Sequence, residues 1–292
     1  MLKNRTLFYH FLATLTIMIW GTTYVSTKIL INKGLGSVEI FFYRFLLAYL
    51  CTLVICHRKI WSDSYKDEFW LFVCGLSGGS LFFLAENTAL SFTLATNVSL
   101  LICTSPLFTV LLAAVIYKSV LRPKVLLGSL LALMGVGLVI FNGRIGFNIN
   151  PIGDVLTIVA SILWAIYCLV LKKLTSKYEP LFITRKVFFY GVLSLCFYFV
   201  LRPLEIKTDL LLQPVILGNL IFLGLIASML CYIMWNYAVK ELGAYRIANY
   251  IYLVPFFTML TSAIFLGETL TFSTVAGALC IITGVYIAEK LQ

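Results

Sequence analysis

Glu86 stands in the middle of the apolar stretch Phe82–Leu90. An ionised carboxylate in such surroundings is expensive unless it is paired or wetted. Three readings are open: a proton acceptor coupling solute movement to proton entry, a group that binds an amine on the solute, or an interfacial carboxylate neutralised by Lys28 or Arg44. A shift of 149 positions carries Glu86 onto Trp235 and its neighbour Asn87 onto Asn236. Each amide donates and accepts, which suits a polar solute or interhelical hydrogen bonding equally. Trp20 and Tyr24, and likewise Tyr232 and Trp235, share faces at helical spacing. With Phe83, Trp164 and Tyr167 they could form an aromatic wall, able to hold an ammonium by cation–π attraction; for any one ring, plain packing against lipid or a helix competes. Asn97, with Ser99, Thr104 and Ser105, adds small polar groups to one run, and Asn249 with Tyr250 does so in another. Pro106 and Pro255 each delete a backbone donor within an apolar run, which reads as a gating bend or as a static kink shaping a cavity. Arg246 either meets a carboxylate or snorkels to headgroups.

Other chemistries lack the residues they need. No phosphate-binding loop or dinucleotide fingerprint occurs, so nucleotide cofactors are not expected. The only two histidines, His10 and His57, near the cytoplasmic ends of the first two spans, cannot supply a metal cluster, and the 8 cysteines form no CxxC pair; neither a metal site nor a disulfide framework is suggested. No Ser–His–carboxylate grouping emerges, and an enzyme is not expected. The net charge of +10 does not point to nucleic acid, because the basic residues lie mostly in short links between apolar runs.

The elements that must position these residues are membrane helices. The chain is 61% hydrophobic and 12% charged, with mean hydropathy +1.01. A soluble domain carries about 25% charged residues. A span needs roughly 20 apolar residues, and ten candidates emerge, near 8–31, 38–57, 68–90, 94–117, 123–142, 152–174, 180–201, 213–238, 243–266 and 271–289. Short turns at Leu90–Thr93, Lys118–Pro123, Lys240–Gly243 and Gly267–Thr271 separate the closest pairs. With the N-terminus cytoplasmic, the inner links hold 13 of the 22 Lys and Arg residues and the outer links 4, a bias that puts both termini in the cytoplasm. The first run is too long for a signal peptide and has no cleavage site, so it reads as a retained span.

The same 149-residue shift that relates the asparagines superimposes Ala89 on Ala238, Pro106 on Pro255, Gly128 on Gly277 and Gly135 on Gly284 without a gap. Towards the front of each half, Trp20 matches Trp164 and Lys28 matches Lys172 at a shift of 144, and Arg44 matches Arg185 at 141. Two halves, 1–145 and 146–292, follow, joined by the Gly143–Pro151 link. Each has five spans, and two copies of an odd unit in one chain must point opposite ways across the bilayer. Inverted repeats around a midplane site are the usual construction of alternating-access carriers. The paired glycines, and Gly75 with Gly79, read as small-residue packing faces.

These landmarks, from Trp20-Gly21 with Lys28 and Arg44, through Asn87-Thr88-Ala89-Leu90, Ala95 and Pro106, to Trp164-Ala165, Asn236-Tyr237-Ala238, Ala244-Tyr245-Arg246, Pro255 and Gly267-Glu268, resemble the EamA group of bacterial permeases in the drug/metabolite transporter superfamily. The likeness covers essentially the whole chain. It implies an all-α polytopic membrane protein of ten helices in two inverted five-helix repeats, with a central cavity lined chiefly by the first, third, fourth, sixth, eighth and ninth helices. One departure stands out. The family's Gly-Glu after the fourth span is Tyr117-Lys118 here, so Glu268 reads as an end-of-helix structural residue.

The expected function is export of a small organic solute, an amino acid or amphipathic metabolite, across the inner (plasma) membrane, with the lipid bilayer and the solute as partners, protons as a possible third, and a monomer or homodimer as the working unit. A facilitative channel or exchanger and a non-transporting scaffold are the alternatives.

Overall fold

A computed structural model describes residues 2–57, 59–117, 127–128, 130–132, 134–135, 138, 151–201, 203–204, 208–243, 247, 249–269 and 271–290. These are helical apart from turns. In chain order they form α1 (Leu2–Asn32), α2 (Ser37–Ile55), α3 (Tyr65–Gly75), α4 (Leu81–Phe92), α5 (Ala95–Ile102), α6 (Ser105–Tyr117), α7 (Pro151–Leu174), α8 (Pro180–Leu201), α9 (Thr208–Leu211), α10 (Pro214–Ile221), α11 (Cys231–Leu242), α12 (Val254–Phe265) and α13 (Phe272–Lys290). The described residues between 127 and 138 are also helical. The link 143–150, the turn 118–123 and Arg246 lie outside the described residues.

Among the described residues, six helical runs are long and apolar enough to cross a bilayer, including Tyr65–Phe92, Ala95–Ile116 and Pro214–Leu242. Large apolar side chains such as Val54, Phe197 and Val200 remain exposed on the outside of the bundle, where lipid takes the place of a core. α1, 31 residues long, also reaches from end to end, at about 1.5 Å per residue. It is more polar, but Thr14, Thr16, Thr22 and Thr23 turn their hydroxyls back onto carbonyls of α1 itself.

Two runs are wider than the sequence implies, for one local reason. α3 passes into α4 through a π turn, Leu76–Ser80, and α10 passes into α11 through another, Phe222–Leu230. Glycines allow the close approaches there. A Cβ on Gly78 would enter the Tyr167 ring, and one on Gly224 would press against Leu47. Carbonyls in these turns accept from side chains across the bundle: Gly78 O from the Tyr232 hydroxyl at 2.6 Å, and Ala227 O from Trp20 Nε1 at 2.9 Å.

Packing runs in both directions between the front and back of the chain. α1 lies along α11 and α12, while α7 lies along α4, α5 and α6. α2 meets the Phe222–Leu230 turn, and α8 meets the Leu76–Ser80 turn. The paired glycines join the fifth-span residues to α13: a Cβ on Gly135 would strike Ile281 N and Gly277 O, and one on Gly284 would strike Ala132 and Gly128 O. These small-residue faces thus pack against each other within the chain.

Candidate functional site

Both proline breaks lie at a helix boundary. α5 ends at Ile102, and Pro106 is the second residue of α6 after a turn at Cys103 and Thr104. A 3-10 turn, Asn249–Leu253, precedes α12, whose second residue is Pro255. At these places a proline costs no hydrogen bond within its own helix. The result is a pair of interruptions beside a central cavity. Ile102 approaches it from one break, and Ile251 and Val254 from the other.

The cavity is about 40 Å³ and is lined by Trp20, Thr23 and Tyr24 of α1, Arg44 of α2, Phe82, Phe83 and Glu86 of α4, Trp164 of α7 and Tyr232 of α11, besides the residues at the breaks. Its walls are aromatic. Trp20 meets Trp164 edge-on at 5.4 Å and Tyr232 at 5.7 Å, and Phe82 approaches Trp164 at 5.1 Å between centroids. Two opposite charges face the same space. Glu86 is buried and shares the cavity wall with Tyr24. Arg44 is buried too; its Nε donates to Ser228 Oγ at 2.9 Å, and the guanidinium lies 4.3 Å over the Phe83 ring. The carboxylate and the guanidinium attract one another, yet no ion pair joins them among the described residues. Trp164 Nε1 is buried without a hydrogen-bond partner among the described residues.

Six of the expected solute-binding residues therefore meet at one cavity: Trp20, Tyr24, Phe83, Glu86, Trp164 and Tyr232. The other six lie outside its lining. Asn87 Nδ2 donates to Ser37 O at 3.2 Å. Asn236 accepts from the Tyr167 hydroxyl at 2.9 Å and donates to Thr184 Oγ1 at 2.8 Å, so this amide and Tyr167 serve the contact between helices. Asn97 reaches back to Thr93 Oγ1 at 3.4 Å. Trp235 stacks obliquely behind Trp20 at 5.1 Å, and the Tyr250 hydroxyl is 2.6 Å from His10 Nδ1. Sequence reasoning left Thr23, Arg44, Phe82, Ile102, Ile251 and Val254 of the lining out of the set, and Arg44 is the charged one among them. It was visible there only as a landmark and as a neutraliser for Glu86. Lys28, the other suggested neutraliser, points elsewhere, to the carbonyls of Leu90 and Thr93.

Ties between front and back bracket the cavity at each end. Towards the N-terminal end of α1, Asp67 accepts from Lys177 at 3.1 Å and from the Tyr178 hydroxyl at 2.9 Å. Beside it, Glu68 accepts from Lys186 and the Tyr190 hydroxyl, and Arg185 donates to the carbonyls of Cys56, Lys59 and Ile60. A second cavity at this end, about 430 Å³, is lined by Ile55, His57, Lys59, Lys177, Phe182 and Tyr237 among others. At the opposite end, Glu268 accepts from the amides of Ala95 and Thr96 at 2.9 and 3.1 Å, the end-of-helix role expected for it. No group of His, Cys, Asp and Glu among the described residues could hold a metal.

The model of the EamA-like transporter family matches residues 7–141 and 151–289. An "Uncharacterized transporter" of Archaeoglobus fulgidus is 33% identical over 97% of this chain and 98% of its own length. A "Probable amino-acid metabolite efflux pump" of Salmonella typhimurium is 28% identical over 95% of this chain and 93% of its own. A solved crystal structure superposes with a TM-score of 0.69 at 14% identity, covering 97% of this chain and 99% of that one; at that identity the likeness concerns the fold alone.

Proposed function

Because the chain belongs to the EamA-like transporter family, and so is a membrane transporter of small organic solutes rather than an enzyme, we propose that it exports a zwitterionic metabolite with an apolar body, of which an amino acid is the simplest case. The observation that carries this reading is that Glu86 and Arg44 line one aromatic-walled cavity without forming an ion pair with each other. Charges within a membrane span are costly to keep, and a solute bearing an ammonium and a carboxylate satisfies both at once. The rings of Trp20, Trp164 and Phe83 would take its apolar part, and the free Trp164 N–H would donate to its carboxylate. The name borne by the Salmonella relative agrees with this choice.

The mechanism proposed is alternating access. The cavity, at about 40 Å³, holds a few waters at roughly 10–15 Å³ each on this measure and is too small for a metabolite. A solute therefore enters only when the bundle parts at one end. In this reading residues 1–145 and 146–292 are two five-helix units of opposite orientation, with Pro106 and Pro255 marking the breaks at which α5 and α12 move. The positive-inside bias puts both termini in the cytoplasm, which makes the 430 Å³ cavity the cytoplasmic vestibule from which the solute is collected. Glu86 doubles as the proton carrier: with no solute present it takes a proton from outside, and it releases that proton inside.

Uptake by vesicles containing the purified protein, screened over amino acids and common metabolites with and without an imposed proton gradient, tests the proposal. Saturable, gradient-driven flux of a zwitterion is expected, and the Glu86→Gln variant should move the same solute with a raised KM and without responding to the gradient. Gradient-driven flux that survives in Glu86→Gln removes the coupling role, and flux confined to solutes without charge removes the zwitterion.

A further inference from the structure

Just beyond the cavity, at the end of the bundle away from the N-terminus, four segments converge on the link between α4 and α5. Lys28 follows Tyr24 by one helical turn on α1, and Leu90 follows Glu86 by one turn on α4, so each stacks over a residue at the cavity. The Lys28 ammonium donates to the Leu90 carbonyl and, at 3.0 Å, to the carbonyl of Thr93. Glu268, which follows α12, does the converse at the start of α5. It accepts from the Ala95 and Thr96 amides and, at 2.7 Å, from Thr96 Oγ1. A cation thus rests on a helix C-terminus and an anion on a helix N-terminus, the signs that helix dipoles favour. Lys28 and Glu268 attract each other as well.

The division of labour around this link is uneven. Lys28 belongs to the same half as the link it holds. Glu268 reaches it from the far part of the chain, together with Ser262, whose Oγ is 3.0 Å from Thr96 Oγ1. The element held is a short one. α5 is 8 residues long, is broken from α6 at Cys103 and Thr104, and carries Ile102 on the cavity wall. Such a segment has a hinge at one end and a polar latch at the other.

We infer that Glu268 is the latch of the outer gate, and that its release from the N-terminus of α5 lets that helix swing about the Cys103–Thr104 break and open the cavity outward. Lys28 keeps α4 in place while this happens, so Glu86 and Phe83 do not follow the moving wall. Glu268 is here a positioning residue: it touches no solute. The inference rests on the alternating-access reading.

The test uses Ile102→Cys as a reporter in protein whose eight native cysteines have been replaced, with a membrane-impermeant thiol reagent added from the outer side. Glu268→Gln should raise the rate of labelling at position 102 at least fivefold, and Glu268→Asp by less. As an independent arm, a protein carrying Thr96→Cys and Ser262→Cys, oxidised to a disulfide, should lose solute flux, and reduction should restore it. A disulfide-locked reporter protein should also label more slowly than its reduced form. Labelling that is unchanged in a folded Glu268→Gln protein overturns the latch, and so does a locked protein that transports at the reduced rate. If Glu268→Gln does not fold, the disulfide arm decides. Absence of flux in the unlocked wild-type protein counts against the transport reading alone, since labelling needs no solute.

Discussion

Arg44 illustrates how a single side chain can be held ready for a ligand. Its Nε is spent on Ser228 and its flat face on Phe83, so the guanidinium is fixed in place while its charge remains directed at the cavity. Lysine could supply the charge but neither the fork nor the stacking surface. Removing one member of a buried, hydrogen-bonded charge pair costs about 2–5 kcal/mol in binding, which corresponds to a rise in KM of roughly thirtyfold or more at about 1.4 kcal/mol per tenfold. Arg44→Ala should therefore raise KM by that factor for zwitterions, and Arg44→Lys should recover only part of it. Equal KM values for wild type and Arg44→Ala would remove Arg44 from the site. Glu86 could be found in the sequence because a carboxylate in Phe82–Leu90 has no ordinary reason to be there. Arg44 lies in an equally apolar run, but long basic side chains near helix ends commonly snorkel, and only the packing of α2 against Phe222–Leu230 shows that this one turns inward. The asparagines left two readings open for a related reason: an amide signals a hydrogen bond without saying whether its partner is a solute or, as for Asn236, a tyrosine and a threonine on neighbouring helices.

At the scale of elements, the π turns do what straight helices could not. They free backbone carbonyls in mid-span and offer them to Trp20 and Tyr232, two residues of the aromatic wall, which fixes those rings by their polar ends. Gly78 is the tightest point, since an added Cβ would enter the Tyr167 ring. Overpacking of this kind costs about 1–3 kcal/mol. Gly78→Ala should lower the midpoint of thermal unfolding in detergent, whereas Gly218→Ala, with open space around it, should leave the midpoint unchanged. The opposite ranking would contradict the packing described. The ion cluster around Asp67 and Glu68 makes a second prediction. Lys186 and Glu68 are 3% and 18% exposed, and breaking a buried pair from one side costs about 3–5 kcal/mol. Lys186→Met should destabilise strongly, and adding Glu68→Gln should recover most of the loss; a double variant as unstable as the sum of the two single ones would mean that the pair is not coupled. That the chain is built of apolar, membrane-crossing helices was legible from apolar length, and the breaks from Pro106 and Pro255. The π turns were not, because a glycine in an apolar run marks close packing without revealing an extra residue in the turn. Nor was the ion cluster: Asp67 and Glu68 are separated from Lys177 and Lys186 by more than 100 residues, and only the fold brings them together.

For the whole molecule, the duplicated pattern of Pro106/Pro255 and Gly128/Gly277 is the part of the sequence that says most. The proposal of two oppositely directed units starts from it, and the packing of α1 on α11 and α7 on α4, with the glycine contacts that bring α13 against the fifth-span residues, agrees with that proposal. The chemistry placed between them is asymmetric. Glu86 faces the cavity where its repeat mate Trp235 lies behind Trp20, and Arg44 faces it where Arg185 instead holds the turn at Cys56–Ile60. In the proposed carrier, two related units around this unequal pocket would let the protein rock between two states yet distinguish the ends of its solute. The most direct test is counterflow in sealed vesicles. Vesicles loaded with an excess of unlabelled zwitterionic amino acid, then diluted into a trace of the labelled one, should accumulate label transiently above its outside concentration, and Arg44→Ala should abolish the overshoot. Flux that rises in proportion to concentration, with no overshoot in the wild-type protein, would show a pathway open to both sides at once and contradict the account.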